Sequence, residues 1–150
     1  MNPETKTAVS TTLTLPCLFC ASWNRVYADR ARDRPKCGEC GKPMLLDRPF
    51  TLTDETFGKV IESAGIPVVV DFYADWCGPC KTMAPDMDAF AANHVGRVLT
   101  AKLDTDRNQV TAQTFGIRGI PTIMRFAAGA KTAEQSGAIK LADIERFAGV

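Results

Sequence analysis

The chain has 150 residues, 45% of them hydrophobic and 23% charged, with a net charge of +1. That suits one ordinary domain, or a small module joined to a domain of about 100 residues, and gives no overall field demanding a polyanionic partner. Residues 1–46 carry seven Lys/Arg against four Asp/Glu (+3) and residues 47–150 eleven against thirteen (−2), an asymmetry too small to argue nucleic-acid binding.

No window approaches the roughly 18 apolar residues of a membrane span. The polar, Thr-rich start MNPETKTAVSTTLTLP lacks the cationic head and apolar run of a secretory signal. A cytoplasmic protein is expected, in which thiols stay reduced and Cys-x-x-Cys pairs mean metal or redox chemistry. All six cysteines fall into such pairs, Cys17–Cys20, Cys37–Cys40 and Cys77–Cys80, with none left over.

Residues 1–46 hold few large apolar side chains, among them Leu13, Leu15, Leu18, Phe19, Trp23, Val26 and Tyr27. Segments below about 40–50 residues seldom fold without a staple, and the cysteines are the candidates for it. ADRARDRPK reads as a solvated loop between the first two pairs, and GKPMLLDRP as a return strand and linker. The division expected is a module over residues 1–46 and a domain over 47–150.

From Pro49 the pattern becomes regular. TDETFGKVIESAG predicts a helix with Thr53 as N-cap, apolar Phe57, Val60, Ile61 and Ala64 at helical spacing, and Gly65 at its end. PVVVDFYA is an almost unbroken apolar run of strand length, the pattern of a central strand covered on both faces. CKTMAPDMDAFAANHVG predicts a helix kinked at Pro85, with the single histidine, His94, at the surface near its end. A strand in RVLTAKLD, a helix in RNQVTAQTFG, a hairpin turning near Gly129 and a helix in LADIERFAG complete the order. The fold class is α/β: a mixed sheet with helices on both faces and an antiparallel hairpin at one edge.

Cys77 falls where the central strand ends and the next helix begins. Unpaired N–H groups and the helix dipole there favour a negative sulfur, which lowers a thiol pKa from about 8.5 towards neutrality. Cys80 lies one turn inside and shielded, so Cys77 is expected to attack and Cys80 to resolve. Gly78 and Pro79 permit the tight turn, and proline removes an N–H that a helix start leaves unpaired. Asp71, a carboxylate inside a doubly covered strand, is expected to have a raised pKa unless it reaches water at the strand end. A metal reading of Cys77–Cys80 would need a second pair, and the other four cysteines already make a complete set.

VVVDFYADWCGPCK, with AKLDTDRN and GIRGIPT, closely resembles the thioredoxin family in the order and spacing of these blocks along residues 48–150. The resemblance implies a thioredoxin fold, reduction of protein disulfides through Cys77 and Cys80, and re-reduction by a flavin-containing thioredoxin reductase. It makes Asp71 the proton acceptor for Cys80 and places Lys102 beside it. Trp76 would shield the thiols and touch substrate. Ile120–Pro121 would be trans on general frequencies alone, but the family places a cis proline against the dithiol. Ile120 would then pair with an extended substrate strand, and Gly119, Gly137 and Ala138 would complete a groove with Gly78 and Pro79. Tyr73 stands where tryptophan is frequent.

Cys17-x2-Cys20, sixteen residues, then Cys37-x2-Cys40 fits a four-thiolate zinc pattern in inner spacing and loop length. Extra redox dithiols or an iron centre could use the same spacing. A bacterial thioredoxin type (the thioredoxin C type) carries such an N-terminal four-Cys zinc module, so the resemblance implies one structural zinc and no bound organic cofactor. The alternative function is a zinc-ribbon binding module on a thioredoxin scaffold. Arg25, Arg30, Arg32, Arg34 and Lys36, with Trp23 and Tyr27, would then contact single-stranded nucleic acid or a protein. Asp29 and Asp33 interrupt that run, so nucleic acid is disfavoured. A monomer is expected, and a redox-sensing role for the zinc module is the remaining idea.

Overall fold

The structure, a computed structural model, describes residues 11–150; the reading of the N-terminal stretch and the start of the module lie largely outside them. Strands β1 (Thr12–Pro16) and β2 (Trp23–Tyr27) form an antiparallel hairpin, followed by a 3-10 helix over Ala28–Asp33. Then come β3 (Phe50–Thr51), α1 (Phe57–Ser63), β4 (Val68–Tyr73), α2 (Gly78–Asn93), β5 (Leu99–Asp104), α3 (Gln109–Thr114), β6 (Thr122–Ala127), β7 (Ala130–Ser136) and α4 (Leu141–Ala148). The main sheet runs β3-β5-β4-β6-β7, with β3 and β4 parallel to β5 and the β6–β7 hairpin antiparallel at one edge.

β4 is central because alternate residues supply two cores. Val68, Val70 and Phe72 pack with Phe57, Val60, Ile61 and Phe126 on one face. Val69 packs with Met83, Met87, Phe90, Ile123 and Ile144 on the other. The Phe57, Phe115 and Phe126 rings meet edge-on or tilted at 5.5 Å, a favourable aromatic geometry. α2 continues through Pro85 from Gly78 to Asn93.

Several expectations are corrected. α1 begins at Phe57 rather than after Thr53. Thr53 instead closes a preceding turn, its carbonyl accepting the N–H groups of Thr56 and Phe57 while its own N–H donates to Thr56 Oγ1. ADRARDRPK is not a solvated loop throughout. Ala28 and Ala31 are buried on the 3-10 helix, where residues three apart lie on one face. GKPMLLDRP makes only an isolated bridge, Lys36 with Pro43, before β3. His94 is buried, not on the surface: Nε2 lies 2.9 Å from Glu145 Oε2 of α4, and the ring packs 4.9 Å from that of Phe90.

The N-terminal segment is packed onto the larger sheet. Leu13, Leu15, Val26, Ala31, Met44 and Leu46 share one buried cluster with Phe50, Leu52, Val60, Ile61 and Val95. Two glycines allow the approach. Gly65 N–H donates to Thr12 O at 2.8 Å, and a Cβ there would stand 3.1 Å from Thr12 backbone. Gly96 has φ of +86°, and a Cβ on it would stand 2.6 Å from Ala28 O, closer than packed atoms tolerate.

Candidate functional site: a dithiol at a helix start and a cluster of four thiols

β4 and α2 meet at the dithiol. Cys77 is the N-cap of α2, with Pro79 in its first turn and extended backbone (φ −83°, ψ 114°). Cys77 and Cys80 form a disulfide with their Cα atoms 5.3 Å apart. Cys77 Sγ accepts the Cys80 N–H at 3.1 Å, so one donor that the helix start would leave unpaired is spent on sulfur. Burial does not separate the two cysteines in this oxidised pair, at 3% exposure for Cys77 and 5% for Cys80. What separates them is position, Cys77 being the N-cap and Cys80 lying inside the first turn of α2.

The Ile120–Pro121 bond is cis, and Cys77 Sγ lies 3.7 Å from Ile120 O. The loop is held by Thr122 Oγ1 donating to Gly119 O (2.6 Å) and Gly137 N–H donating to Pro121 O (2.8 Å). Pro121 is buried, whereas Gly119, Gly137 and Ala138 are exposed and Ile120 half-buried. Gly78 is exposed at the helix start, with nothing within 4 Å of where its Cβ would be. Trp76 is 69% exposed, so it is no core anchor, and its Nε1–H donates to Asp106 Oδ2 at 2.7 Å.

Asp71 sits on the α2 side of β4, opposite Lys102 on β5 and Ile123 on β6. It lines a cavity of about 180 Å³ with Cys80, Tyr73, Met87, Asp88 and Lys102. Asp71 is 6% exposed and its Oδ1 has no hydrogen-bond partner among the described residues. Burial pushes its pKa up to about 7, with the Lys102 ammonium pulling the other way. Lys102 Nζ lies 5.6 Å from the centre of the Tyr73 ring. A carboxyl that titrates near neutrality thus shares one cavity with the inner cysteine.

The other four cysteines converge at the tip of the N-terminal hairpin. Each pair opens the same backbone turn. Ala21 N–H donates to Cys17 O and Gly41 N–H to Cys37 O (2.9 and 3.0 Å), with positive φ at both Ala21 and Gly41. Cys17 Sγ lies 3.6 Å from Cys40 Sγ and Cys20 Sγ 3.6 Å from Cys37 Sγ, all four sulfurs lying within 4.8 Å of one another. Tetrahedral zinc at about 2.3 Å from sulfur would set ligands about 3.8 Å apart, so the spacing fits.

N–H groups aim at these sulfurs. Cys37 is lowered to about 6, first by the Cys40 N–H and then by the Asn24 amide and the Glu39 N–H. Cys17 is lowered by the N–H groups of Cys20 and Phe19 against the cost of burial. Cys40 is pushed up to about 11: the Lys42 N–H favours its thiolate, but burial and the sulfurs of Cys17, Cys20 and Cys37 outweigh it. Four sulfurs this close cannot all ionise without a cation among them.

Two supporting residues carry no sequence signal that would have found them. Asn24 Nδ2 donates to Cys37 Sγ at 3.4 Å while its Oδ1 accepts the Gly38 N–H, which ties β2 to the second turn. Asp106 holds Trp76 across thirty positions of sequence. The basic run does not gather around a free aromatic platform, because Lys59 Nζ sits 4.2 Å over the Trp23 ring.

A disulfide at a helix start, faced by a backbone carbonyl and backed by a titratable carboxyl, is arranged for one kind of chemistry. A thiolate formed there can be exchanged for a sulfur of another disulfide, and the class defined is the thiol-disulfide oxidoreductases. Comparison with known proteins narrows the class. The family model described as thioredoxin matches residues 48–149, and a zinc-ribbon family described as thioredoxin 2, N-terminal, matches residues 16–42. The chain belongs to the thioredoxin family and is a protein-disulfide oxidoreductase with a zinc-ribbon-type N-terminal module.

Thioredoxin C-3 of Corynebacterium nephridii is 34% identical over 131 residues, covering 87% of this chain and 90% of its own. Thioredoxin of Allochromatium vinosum is 42% identical over 96 residues, covering 64% of this chain and 90% of its own. Among solved structures, thioredoxin f from spinach chloroplast (long form) superposes with a TM-score of 0.64 at 29% identity, over 69% of this chain and 86% of that one. No helix among the described residues is long and apolar enough to cross a membrane.

Proposed function

We propose that this chain reduces disulfides of other proteins through Cys77 and Cys80, and that one structural zinc ion is held by Cys17, Cys20, Cys37 and Cys40. In this reading the module spans residues 1–46 and the catalytic domain 47–150. The observation that carries the redox reading is the hydrogen bond from the Cys80 N–H to Cys77 Sγ at the start of α2, because it favours a thiolate on the outer cysteine. That thiolate attacks one sulfur of a target disulfide, and the other sulfur leaves as a thiolate and takes a proton. Cys80 then gives its proton to Asp71, directly or through water in their shared cavity, and attacks Cys77 Sγ. The second target sulfur leaves as a thiolate and takes a proton, and the two electrons gained by the target disulfide, now two thiols, are those lost as the Cys77–Cys80 bond closes.

Ile120 would pair with an extended target strand, bounded by Trp76, Gly78, Pro79, Gly119, Pro121, Gly137 and Ala138, while Lys102 tempers the proton affinity of Asp71. A thioredoxin reductase would restore the dithiol, in the cytoplasm, with the chain acting as a monomer. Zinc supplies a closed cross-link for the N-terminal turns.

Trapping tests the redox roles. Cys80→Ser, mixed with a disulfide-linked peptide, should accumulate a mixed disulfide at Cys77, and Cys77→Ser should accumulate none. Trapping at position 80 in Cys77→Ser, with none in Cys80→Ser, would reverse the assignment. For the metal, reduced protein should carry one zinc per chain and lose two free thiols on mild oxidation with zinc retained.

A further inference from the structure

Residues 43–47 fall between the two matched families, which cover residues 16–42 and 48–149, yet they wall a run of linked depressions along the seam between the two modules. The outermost, about 500 Å³, has Ala31, Met44, Leu46, Ala92 and Val95 in its lining and Arg32, Arg34 and Arg48 beside them. The next, about 470 Å³, is lined by Leu18, Leu45, Thr51, Asp88 and Lys102. The two share Leu45, Asp47 and Arg48. The second shares Pro49, Asp88 and Lys102 with the cavity of Asp71 and Cys80. Lys102 therefore stands where the seam meets the redox site.

Two features of the seam point to a ligand. Large apolar side chains are exposed on it, Leu18 at 56% and Leu45 at 40%, whereas apolar surface left contiguous on a soluble domain marks interaction sites. Its charge is also one-sided. Arg32, Arg34, Arg48 and Lys102 face only Asp47 and Asp88 across the two outer depressions. Asp47 is already paired with Arg48 at 3.0 Å, while Arg32 and Arg34 make no ion pair among the described residues.

We propose that this seam docks an extended acidic segment of a partner protein, its carboxylates meeting Arg32 and Arg34 and its apolar side chains covering Leu45 and Leu18. Guanidinium groups match carboxylates in planar pairs, and an apolar floor between them selects a peptide with apolar residues among its acids. A nucleic acid fits less well. Among the described residues the seam has no aromatic platform on which bases could stack, whereas its exposed leucines suit apolar side chains.

The docking is independent of the roles given to Cys77 and Cys80, so its failure would leave the reductase reading standing. A labelled peptide of about ten residues alternating glutamate with leucine, about 33 Å when extended, is titrated into the full zinc-loaded chain by fluorescence anisotropy. It should bind, more weakly as salt rises, and at least about tenfold more weakly to Arg32→Glu/Arg34→Glu, a loss of about 1.4 kcal/mol. A peptide alternating lysine with leucine should not bind, and one alternating glutamate with serine should bind more weakly than the leucine peptide. Leu45→Asp, checked with the arginine variant for an unchanged melting temperature, should also weaken binding. The proposal is overturned if charge reversal leaves affinity unchanged or if the lysine peptide binds equally well. Tighter, arginine-dependent binding of an oligothymidylate would overturn it in favour of nucleic acid.

Discussion

Asp71 brings stability and catalysis into conflict at a single residue. Its carboxyl lies in the interior with an unpartnered Oδ1, and burial raises its pKa from 3.8 to about 7 despite Lys102. A raised folded-state pKa means that the folded chain holds the proton more tightly. The contribution to stability is full below about pH 4, where both states are protonated, and is lost as pH rises through about 7. Three pKa units correspond to on the order of 4 kcal/mol. Asp71→Asn is expected to raise the melting temperature at pH 8 and to change it little at pH 4, read by thermal denaturation at both. The same variant should slow resolution of the mixed disulfide and flatten its rate between pH 6 and 9. An unchanged profile would remove Asp71 from the proton step. Lys102, resting against the Tyr73 ring, acts through its distance from Asp71. Tyr73→Leu should release it and move the pH profile of resolution to higher pH, whereas Tyr73→Phe, which keeps a ring face, should leave the profile in place.

At the scale of elements, two joints hold the short pieces. The carboxylate of Asp54 accepts from the Thr111 N–H (2.8 Å), Thr111 Oγ1 (2.7 Å) and the Val110 N–H (3.3 Å), closing the start of α3. Burial alone would raise its pKa, but those hydrogen bonds outweigh it and hold it below the usual value. A depressed folded-state pKa gives stability that is present above the unfolded value of about 3.9 and lost as pH falls through the folded one. Asp54→Ala should therefore lower the melting temperature at pH 7, with the difference from the parent shrinking at pH 3. The second joint is Gly96, at φ +86° and against Ala28 O. Gly96→Ala puts a side chain into a left-handed backbone and into the docked 3-10 helix. It should cost roughly 1–3 kcal/mol and open residues 28–34 to proteolysis. Protection equal to the parent's would mean that the docking is not tight there.

For the whole molecule, the N-terminal module is stapled by its thiols and also shares a core with the domain it precedes. Leu15, fully buried in the cluster that includes Val60, Ile61 and Val95, belongs to both. Leu15→Ala is expected to cost about 2–5 kcal/mol and to lower the melting transition of the entire chain. A separate early transition confined to the module would show that the two unfold independently.

Much of the catalytic half was legible because its signals are local. The apolar run Val68–Tyr73, the cysteine at a helix start and the glycine at the hairpin turn each state their conformation within a few residues. The four-thiol cluster was legible for a related reason, since a Cys-x-x-Cys turn presents two sulfurs to one point whatever surrounds it. His94, Ala28 and Ala31 were misread because their burial depends on α4 and on the seam, elements far away in sequence. Asn24 and Asp106 stayed invisible because a lone Asn or Asp shows no periodicity and acts through one contact.

The sequence by itself determined the order of elements from Pro49 onward, the two kinds of cysteine pair and the class of chemistry, because backbone preference and ligand spacing are short-range properties. Only the tertiary structure decided that the module lies on the catalytic domain, that Asp71 is buried with one oxygen unpartnered, and that a trough lined by arginines leads towards it. Those outcomes depend on which surfaces exclude water together, and exclusion of water is settled by the packed whole.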